Sequence, residues 1–515
     1  MHHSDSASPL HNHFSDSPLP PSNNMQVQLL HLPLELQQEI VTHLEPAEHS
    51  VLRQVCWATR SLVLPYAFRT VTLDFSRKEH VEAQFQCLAR EGGVSRVAAE
   101  EHTRELDVVL GIKADEDEEE PRLPSVVKTS KGGYNFRAVV RERARSLCES
   151  LQALQVFNKV ESVLMYNCNI LLSHQRGITI GLGLKKFLES LPNLRSAHFS
   201  PRWSNVSMKY WIGLRLGNLQ HLVIRTHPWK DSGEGDMNEA LYTHAVLQIM
   251  SAAPGITELE LGYPWKCFLP RVRKLFGVLN TLKLRMLCLQ GWEFDEASAK
   301  DLPRHCAQLQ ELRIGWRCRG AQFLWPELQA AGIKLQALHA KGWAGEDFFQ
   351  YVASFSGLQE LSMSNERDSS SSLGISCAIG AHTQTLRELD ILCTGAAHWH
   401  YGDEIAEVVG KCVLLKSLAI SVLGADVVST ANRSSVRFSV RFRPNGSLHQ
   451  TSLLRAVSSQ LLLLEVLHLE PVTREIALKG TMSQCIRSFP LPQKSRLREI
   501  DWYSSARQLE DPAFG

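Results

Sequence analysis

Residues 308–314 read QLQELRI, residues 334–340 KLQALHA and residues 357–363 GLQELSM. In each stretch an apolar residue is followed by two variable ones, a second apolar residue, one variable residue and a third apolar one. Nine further copies extend the pattern on both sides: KVESVLM, NLRSAHF, NLQHLVI, GITELEL, VLNTLKL, TLRELDI, LLKSLAI, LLEVLHL and RLREIDW. Their leading residues, from Val160 to Leu497, stand between 23 and 49 residues apart. Each copy ends in the period-two alternation of a β-strand with one buried face. Between copies, THAVLQIMSAA, EDFFQYVASF, DEIAEVVGKCV and TSLLRAVSSQLL carry helical periodicity. Strand plus helix, repeated, predicts a curved parallel sheet with helices outside it.

This array resembles the leucine-rich repeats, whose period is ~20–29 residues, with the longer steps read as insertions. Val160, Val163, Met165, Cys168 and Ile170 give the fuller repeat pattern. The fold class expected is therefore α/β, an irregular leucine-rich-repeat solenoid over residues 151–515, preceded by a helical segment. A stack of this kind also explains how 515 residues fold without one outsized core.

The helical segment begins with LLHLPLELQQEIVTHL, which places Leu32, Leu36, Ile40 and Leu44 on one helix face. The turn EPAEHS interrupts it, SVLRQVCWATRSLV resumes the helical period, and Pro65 is expected to end the second helix. FRTVTL, with Phe68, Val71 and Leu73, reads as a short strand or a lead-in to the next unit. Apolar residues on more than one face of so short a piece call for a partner. The succession Leu32-Pro33, Glu35-Leu36, Ile40, Leu44, Leu52-Arg53-Gln54-Val55-Cys56, Arg60, Pro65 and Phe68 resembles the F-box motif, particularly its fungal form; Thr59 stands where that family has Trp or Leu. The resemblance implies a three-helix F-box over 27–73 that docks on the Skp adaptor of a cullin-RING ubiquitin ligase through Leu32, Pro33, Leu36, Ile40, Leu44, Leu52 and Val55. It implies a non-catalytic receptor whose repeats hold a protein substrate for ubiquitination. The alternative is a repeat scaffold that the helices merely cap.

Elsewhere, residues 1–26 are expected to form a disordered tail. Residues 74–150 form a connector or early repeat carrying a disordered acidic insertion at 113–133, where KADEDEEEPRLPSVVKTSKGG lacks apolar residues enough to fold. A formal net charge of +1 gives no bulk attraction for nucleic acid or membrane, and neither is expected as a partner. The 12 cysteines show no C-x-x-C spacing, which points to a reducing compartment, cytoplasm or nucleus. There is no G-x-S-x-G, H-E-x-x-H, Walker or G-x-G-x-x-G motif. No catalytic residue, metal or cofactor is expected; His305-Cys306 and the pair His398 and His400 lack neighbours at ligand spacing.

Two sets of residues are candidates for holding the substrate. The variable strand positions His198, Val223, Glu260, Lys283, Arg313, His339, Ser362 and Asp390 are expected side by side on the sheet face away from the helices. Trp203, Trp229, Trp265, Trp292, Trp316, Trp343 and Trp399 each follow a strand, and an aromatic rim of this kind would suit a protein contact. The competing reading is that these rings plug the repeat core.

Overall fold

The computed structural model describes residues 29–74, 83–88, 93–109, 157–166, 184–200, 212–225, 239–263, 269–365, 372–393, 403–421, 466–470 and 499–502, apart from residues 85, 316 and 343. The chain divides after Ala67 into a small N-terminal unit and a large one beginning at Phe68.

The N-terminal unit is three helices preceded by a 3-10 turn at Leu29–His31. Pro33, extended at φ −51° and ψ 145°, separates that turn from α1 (Leu34–Thr42), so the helix expected from Leu29 starts later. Pro46 does not interrupt a helix but opens α2 (Pro46–Val55), where its missing N–H costs nothing. Glu45 and Glu48 form a reciprocal capping box there. Cys56, extended at φ −158°, breaks the expected second helix into α2 and α3 (Trp57–Ala67). Thr59, the departure from the F-box pattern, fills the break: its hydroxyl accepts from Cys56 N (3.2 Å) and donates to Leu52 O (2.9 Å). Pro65 lies within α3 rather than ending it. The core is small, built on Val41 and Val63, with buried His49 Nε2 donating to Val41 O at 2.8 Å.

The second unit is one fourteen-stranded sheet in which strands follow in sequence order, every pair parallel. The strands are β1 (Thr70–Asp74), β2 (Glu105–Val109), β3 (Ser162–Tyr166), β4 (Ser196–Ser200), β5 (His221–Arg225), β6 (Glu258–Gly262) and β7 (Met286–Gln290). They continue as β8 (Glu311–Ile314), β9 (Ala337–Lys341), β10 (Glu360–Asn365), β11 (Glu388–Cys393), β12 (Ser417–Ser421), β13 (Val466–Glu470) and β14 (Glu499–Trp502). The F-box expected to reach residue 73 stops at Ala67, because β1 pairs with β2 as the first strand of the sheet. Both strands of that pair lie before residue 151, β2 within the stretch 74–150. The acidic insertion at 113–133 and the tail at 1–26 lie outside the described residues.

Alternating residues build the core. Leu106, Val163, Ala197, Leu222, Leu259, Leu287, Leu312 and Leu338 form one buried row across successive strands, and Val108, Met165, Phe199, Ile224, Leu261, Leu289 and Ile314 form the next. Helices cover that side: α4 (Val94–His102), α5 (Glu239–Ala252), α6 (Val272–Phe276), α7 (Glu296–Asp301), α8 (Leu324–Ala330), α9 (Glu346–Ala353), α10 (Ser372–Gly380) and α11 (Asp403–Gly410). Buried Tyr242, Val246 and Ile249 on α5 and Phe348 and Val352 on α9 join the same cluster. A recurring hydrogen bond sets the start of β2 to β12: the carbonyl before one strand accepts two N–H groups from the next, as Gln310 O does from Gln336 N (2.7 Å) and Ala337 N (3.0 Å).

Two buried histidines join neighbouring repeats in the same way. His305 Nδ1 accepts from Leu282 N (3.1 Å) and its Nε2 donates to Phe276 O (3.0 Å); His382 Nδ1 accepts from Leu358 N (3.3 Å) and its Nε2 donates to Val352 O (2.9 Å). Burial pushes both imidazoles below their ordinary pKa.

One strand lies elsewhere than expected. VLNTLKL, residues 278–284, is not a strand; the strand of that repeat is MLCLQ, residues 286–290. Leu284, Leu287 and Leu289 satisfy the same spacing as Leu279, Leu282 and Leu284, so the sequence offers two overlapping registers. The structure takes the later one because Leu282 N and Leu284 N are bound by His305 Nδ1 and His305 O, leaving them outside the ladder. Lys283 is exposed in that connecting stretch, and Cys288 holds the strand position assigned to it.

Candidate functional site

The first candidate surface lies on the helical unit. Leu34 is 57% exposed, Leu36 52%, Ile40 39%, Val51 64%, Val55 65% and Trp57 80%. Pro33 is exposed as well, whereas Leu32, Leu44 and Leu52 are half-buried. Leu36 and Ile40 share one face of α1 at a spacing of four, and Val51 and Val55 share one face of α2 likewise. An isolated exposed leucine means little, but this many exposed large apolar side chains on three short helices mark a candidate contact surface. Of the residues expected to dock an adaptor, Pro33, Leu36, Ile40 and Val55 are open to solvent. Val51 and Trp57 are equally open and were not singled out by the F-box pattern; helical spacing from Val55 would have found Val51.

The second surface is the sheet face turned away from the helices. Register places His198, Val223, Glu260, Cys288, Arg313, His339, Ser362 and Asp390 in one continuous row on β4–β11. This is the row expected from sequence, with Cys288 replacing Lys283. A parallel row at the strand starts holds Glu258, Met286, Glu311, Ala337, Glu360 and Glu388. Acids and bases answer each other across these rows. Arg225 Nε donates to Glu260 Oε1 and its Nη2 to Glu260 Oε2 (2.9 Å), and the carboxylate so held raises the guanidinium's pKa. Glu260 is 6% exposed. Arg313 Nε donates to Glu311 Oε1, and Ser362 Oγ donates to Asp390 Oδ2 at 2.9 Å.

His339 is held neutral: burial first, then Arg313 and Lys341, bring its pKa down to about 4. Its Nε2 lies 3.9 Å from Glu360 Oε2, too far for a hydrogen bond. Burial, followed by the like charges of Glu388 and Glu311, pushes the Glu360 carboxyl up. Cys288, sealed in the floor between Glu260 and Arg313, is pushed up by burial and is no nucleophile.

The tryptophan rim is corrected where it can be described. Trp292 is fully buried, its Nε1 donates to Leu261 O at 3.2 Å, and its ring lies 5.9 Å from that of Tyr242. It points inward because the chain after β7 continues in a short ladder, Glu293 bridging Arg271 and Arg319, rather than turning outward as a loop. Trp203, Trp229, Trp265, Trp316, Trp343 and Trp399 lie outside the described residues, as do Cys168, His398 and His400. Among the described residues no group of three or more His, Cys, Asp or Glu side chains is placed to hold a metal ion, and no helix is long and apolar enough to cross a membrane. His305 and Cys306, which invite thoughts of chemistry side by side, are both buried structural residues.

Residues 29–67 match the family model of the F-box domain, the three-helix unit just described. Among solved structures, the chain is similar to one described as the crystal structure of the Rad7 and Elc1 complex in yeast, at 12% identity and a TM-score of 0.33, over 89% of this chain and 91% of that one. At that score the likeness adds nothing to what the register of the sheet establishes. No curated protein matches the sequence. The protein thus carries an F-box domain followed by a parallel α/β solenoid.

Proposed function

We propose that this protein is the substrate-recognition subunit of a Skp-cullin-F-box ubiquitin ligase. The F-box docks on the Skp adaptor, and the solenoid, read as leucine-rich repeats, holds a protein target for ubiquitin transfer. The observation that carries the reading is the open apolar surface of Leu34, Leu36, Ile40, Val51, Val55 and Trp57 on a unit that matches the F-box model. Covering one such side chain fully is worth ~1.5–3 kcal/mol, so a partner that buries half a dozen partly exposed ones binds firmly. The chain itself needs no catalytic group: holding a target beside the transferred ubiquitin raises effective concentration, and the chemistry belongs to other subunits. A reducing compartment, cytoplasm or nucleus, suits its free thiols.

The test is co-purification of the full chain with a Skp adaptor, repeated with Leu36→Asp and Ile40→Asp. Both side chains are exposed, so the variants fold while placing charge in the interface. Adaptor binding is expected for the wild type and a loss of at least a hundredfold for the double variant. A wild-type chain that leaves the adaptor unbound favours the second reading, a repeat scaffold capped by its helices.

A further inference from the structure

His305 and His382 hold equivalent places in two repeats, each four residues before a leading leucine, Leu309 and Leu386. From there each ring reaches back into the preceding repeat and makes the same two bonds. Nε2 of His305 donates to Phe276 O (3.0 Å), in the last turn of α6, and Nε2 of His382 to Val352 O (2.9 Å), in the last turn of α9. Carbonyls at a helix end have no partner within the helix, so each ring satisfies one. Nδ1 accepts from Leu282 N (3.1 Å) ahead of β7 and from Leu358 N (3.3 Å) ahead of β10. The rings therefore join the repeats of β7 and β8 and those of β10 and β11, and both are buried.

These bonds admit one protonation state. Nε2 must carry a hydrogen and Nδ1 must be bare, so a second proton on the ring would confront the Leu282 or Leu358 N–H with another donor and leave a charge in the core. Burial is the main influence on both rings. Arg304, whose Nε lies 3.0 Å from Nε2 and whose Nη2 shares the Phe276 carbonyl, disfavours charge on His305, and Asp301 favours it. His382 packs against the Phe355 ring at 5.1 Å, and no charged side chain of α9 or α11 is among the groups that act on it. Between the two histidine joints lies one of different chemistry: Tyr351 Oη donates to Ile333 O (3.0 Å), tying the β9 and β10 repeats. Burial raises the pKa of that phenol, so acid leaves its hydrogen in place.

We infer that His305 and His382 are acid-operated joints, at which protonation of the ring loosens the array between β7 and β8 and between β10 and β11 while the Tyr351 joint holds. A ring that stays neutral while its joint is closed takes up a proton once the joint opens, near pH 6.5. Below that pH, opening is favoured by up to about tenfold per pH unit at each joint, because only the opened state binds the proton. Above it the joints keep their full strength. Acid thus sets off β8–β10 as a block between two weakened boundaries.

The experiment is hydrogen exchange read by mass spectrometry on the full chain, between about pH 7.5 and about pH 5.5, with each rate corrected for the intrinsic pH dependence of amide exchange. The Leu282 and Leu358 amides report the two joints directly, since each is bound by its ring. Ile333, whose N–H donates to Leu328 O, reports the tyrosine joint. Protection at Leu282 and Leu358 is expected to fall about five- to tenfold over that range, with Ile333 unchanged. His382→Phe is expected to abolish the pH dependence at Leu358 and to leave that at Leu282. Flat profiles at both leucines overturn the inference, and a flat profile at one overturns it for that joint. An equal fall at Ile333 also overturns it, since the acid response then belongs to the whole fold. A pH dependence at Leu358 that survives in folded His382→Phe overturns the role given to the ring; should that variant not fold, the wild-type profiles decide by themselves.

Discussion

His305→Phe removes two bonds at once while keeping the core filled. The imidazole is fully buried, accepts from Leu282 N and donates to Phe276 O, and packs 5.4 Å from the Phe276 ring. A phenyl ring replaces its volume but leaves the Leu282 N–H without a partner, while Phe276 O keeps the hydrogen bond from Arg304 Nη2 at 2.7 Å. At ~1–3 kcal/mol for a buried group left unsatisfied, the variant is expected to lose about 1–3 kcal/mol, read as a lower urea midpoint at unchanged slope. The same substitution alters the response to acid. The folded pKa of His305 is depressed, with burial the main cause and Arg304 adding to it, so its stabilising effect is fully present above the unfolded value near 6.5. That effect is lost as pH falls from there through the folded pKa, because the unfolded chain takes up the proton first. Protonation would also put a hydrogen on Nδ1, which must stay bare to accept from Leu282. The wild type should therefore lose stability below about pH 6.5 more steeply than His305→Phe. A midpoint shift under about 0.5 kcal/mol, within the range of ordinary surface changes, or acid profiles that run parallel, would refute the account of His305 as a neutral clamp between repeats.

Three other outcomes can be measured on the same preparation. Gly320→Ala should cost more than about 3 kcal/mol, since its φ is +72° and an added Cβ would meet Phe294 O at 2.0 Å; Gly332→Ala, at φ +67° with open space around it, should cost only the ~1–2 kcal/mol of a left-handed alanine. Arg225→Ala should destabilise by about 3–5 kcal/mol by stranding the buried Glu260 charge, and adding Glu260→Gln should restore most of that; a double variant no better than the single would remove the pair from the account. Under brief alkylation at pH 7.5, Cys56 should label first among the described thiols, being exposed and lowered in pKa by its hydrogen bond with Thr59. Cys306 and Cys412, each raised to about 12 by burial, should label only on unfolding, and mass spectrometry of the peptides distinguishes the two classes.

Much of the repeat array was open to view in the primary structure because its signal is local: three apolar residues at fixed spacing, repeated, each time with the same consequence for which side chain faces inward. β3 to β6 and β8 to β14 fall on eleven of the twelve copies, and RTVTL and RELDVV supply β1 and β2. The row from His198 to Asp390 on the sheet face away from the helices followed from the same alternation, save that Cys288 stands where Lys283 was expected, though its partial burial did not. The F-box helices were visible too, but not their ends, since Pro33, Cys56 and Pro65 act through bonds made or missed in three dimensions: Pro65 was read as a stop and lies inside α3, while Cys56, which gave no warning, divides α2 from α3 with Thr59 as its cap.

By itself the sequence determined the periodic framework: where leucine, valine and isoleucine recur with period two, burying one face of the strand is the only arrangement that removes them from water. Choices between patterns of equal local merit were left to the tertiary structure. Leu284 serves both as the last residue of one leucine spacing and the first of another, and only the carbonyl and imidazole of His305, brought up from the next repeat, select the second. Trp292 has no local feature to distinguish an outward ring from an inward one; the carbonyl of Leu261 and the ring of Tyr242, both from the preceding repeat, turn it into the core. Glu260 reads as one more surface acid until β5 delivers Arg225 beside it. In each case the deciding group comes from a neighbouring turn of the solenoid, and a hydrogen bond or a packed ring is a property of two segments at once.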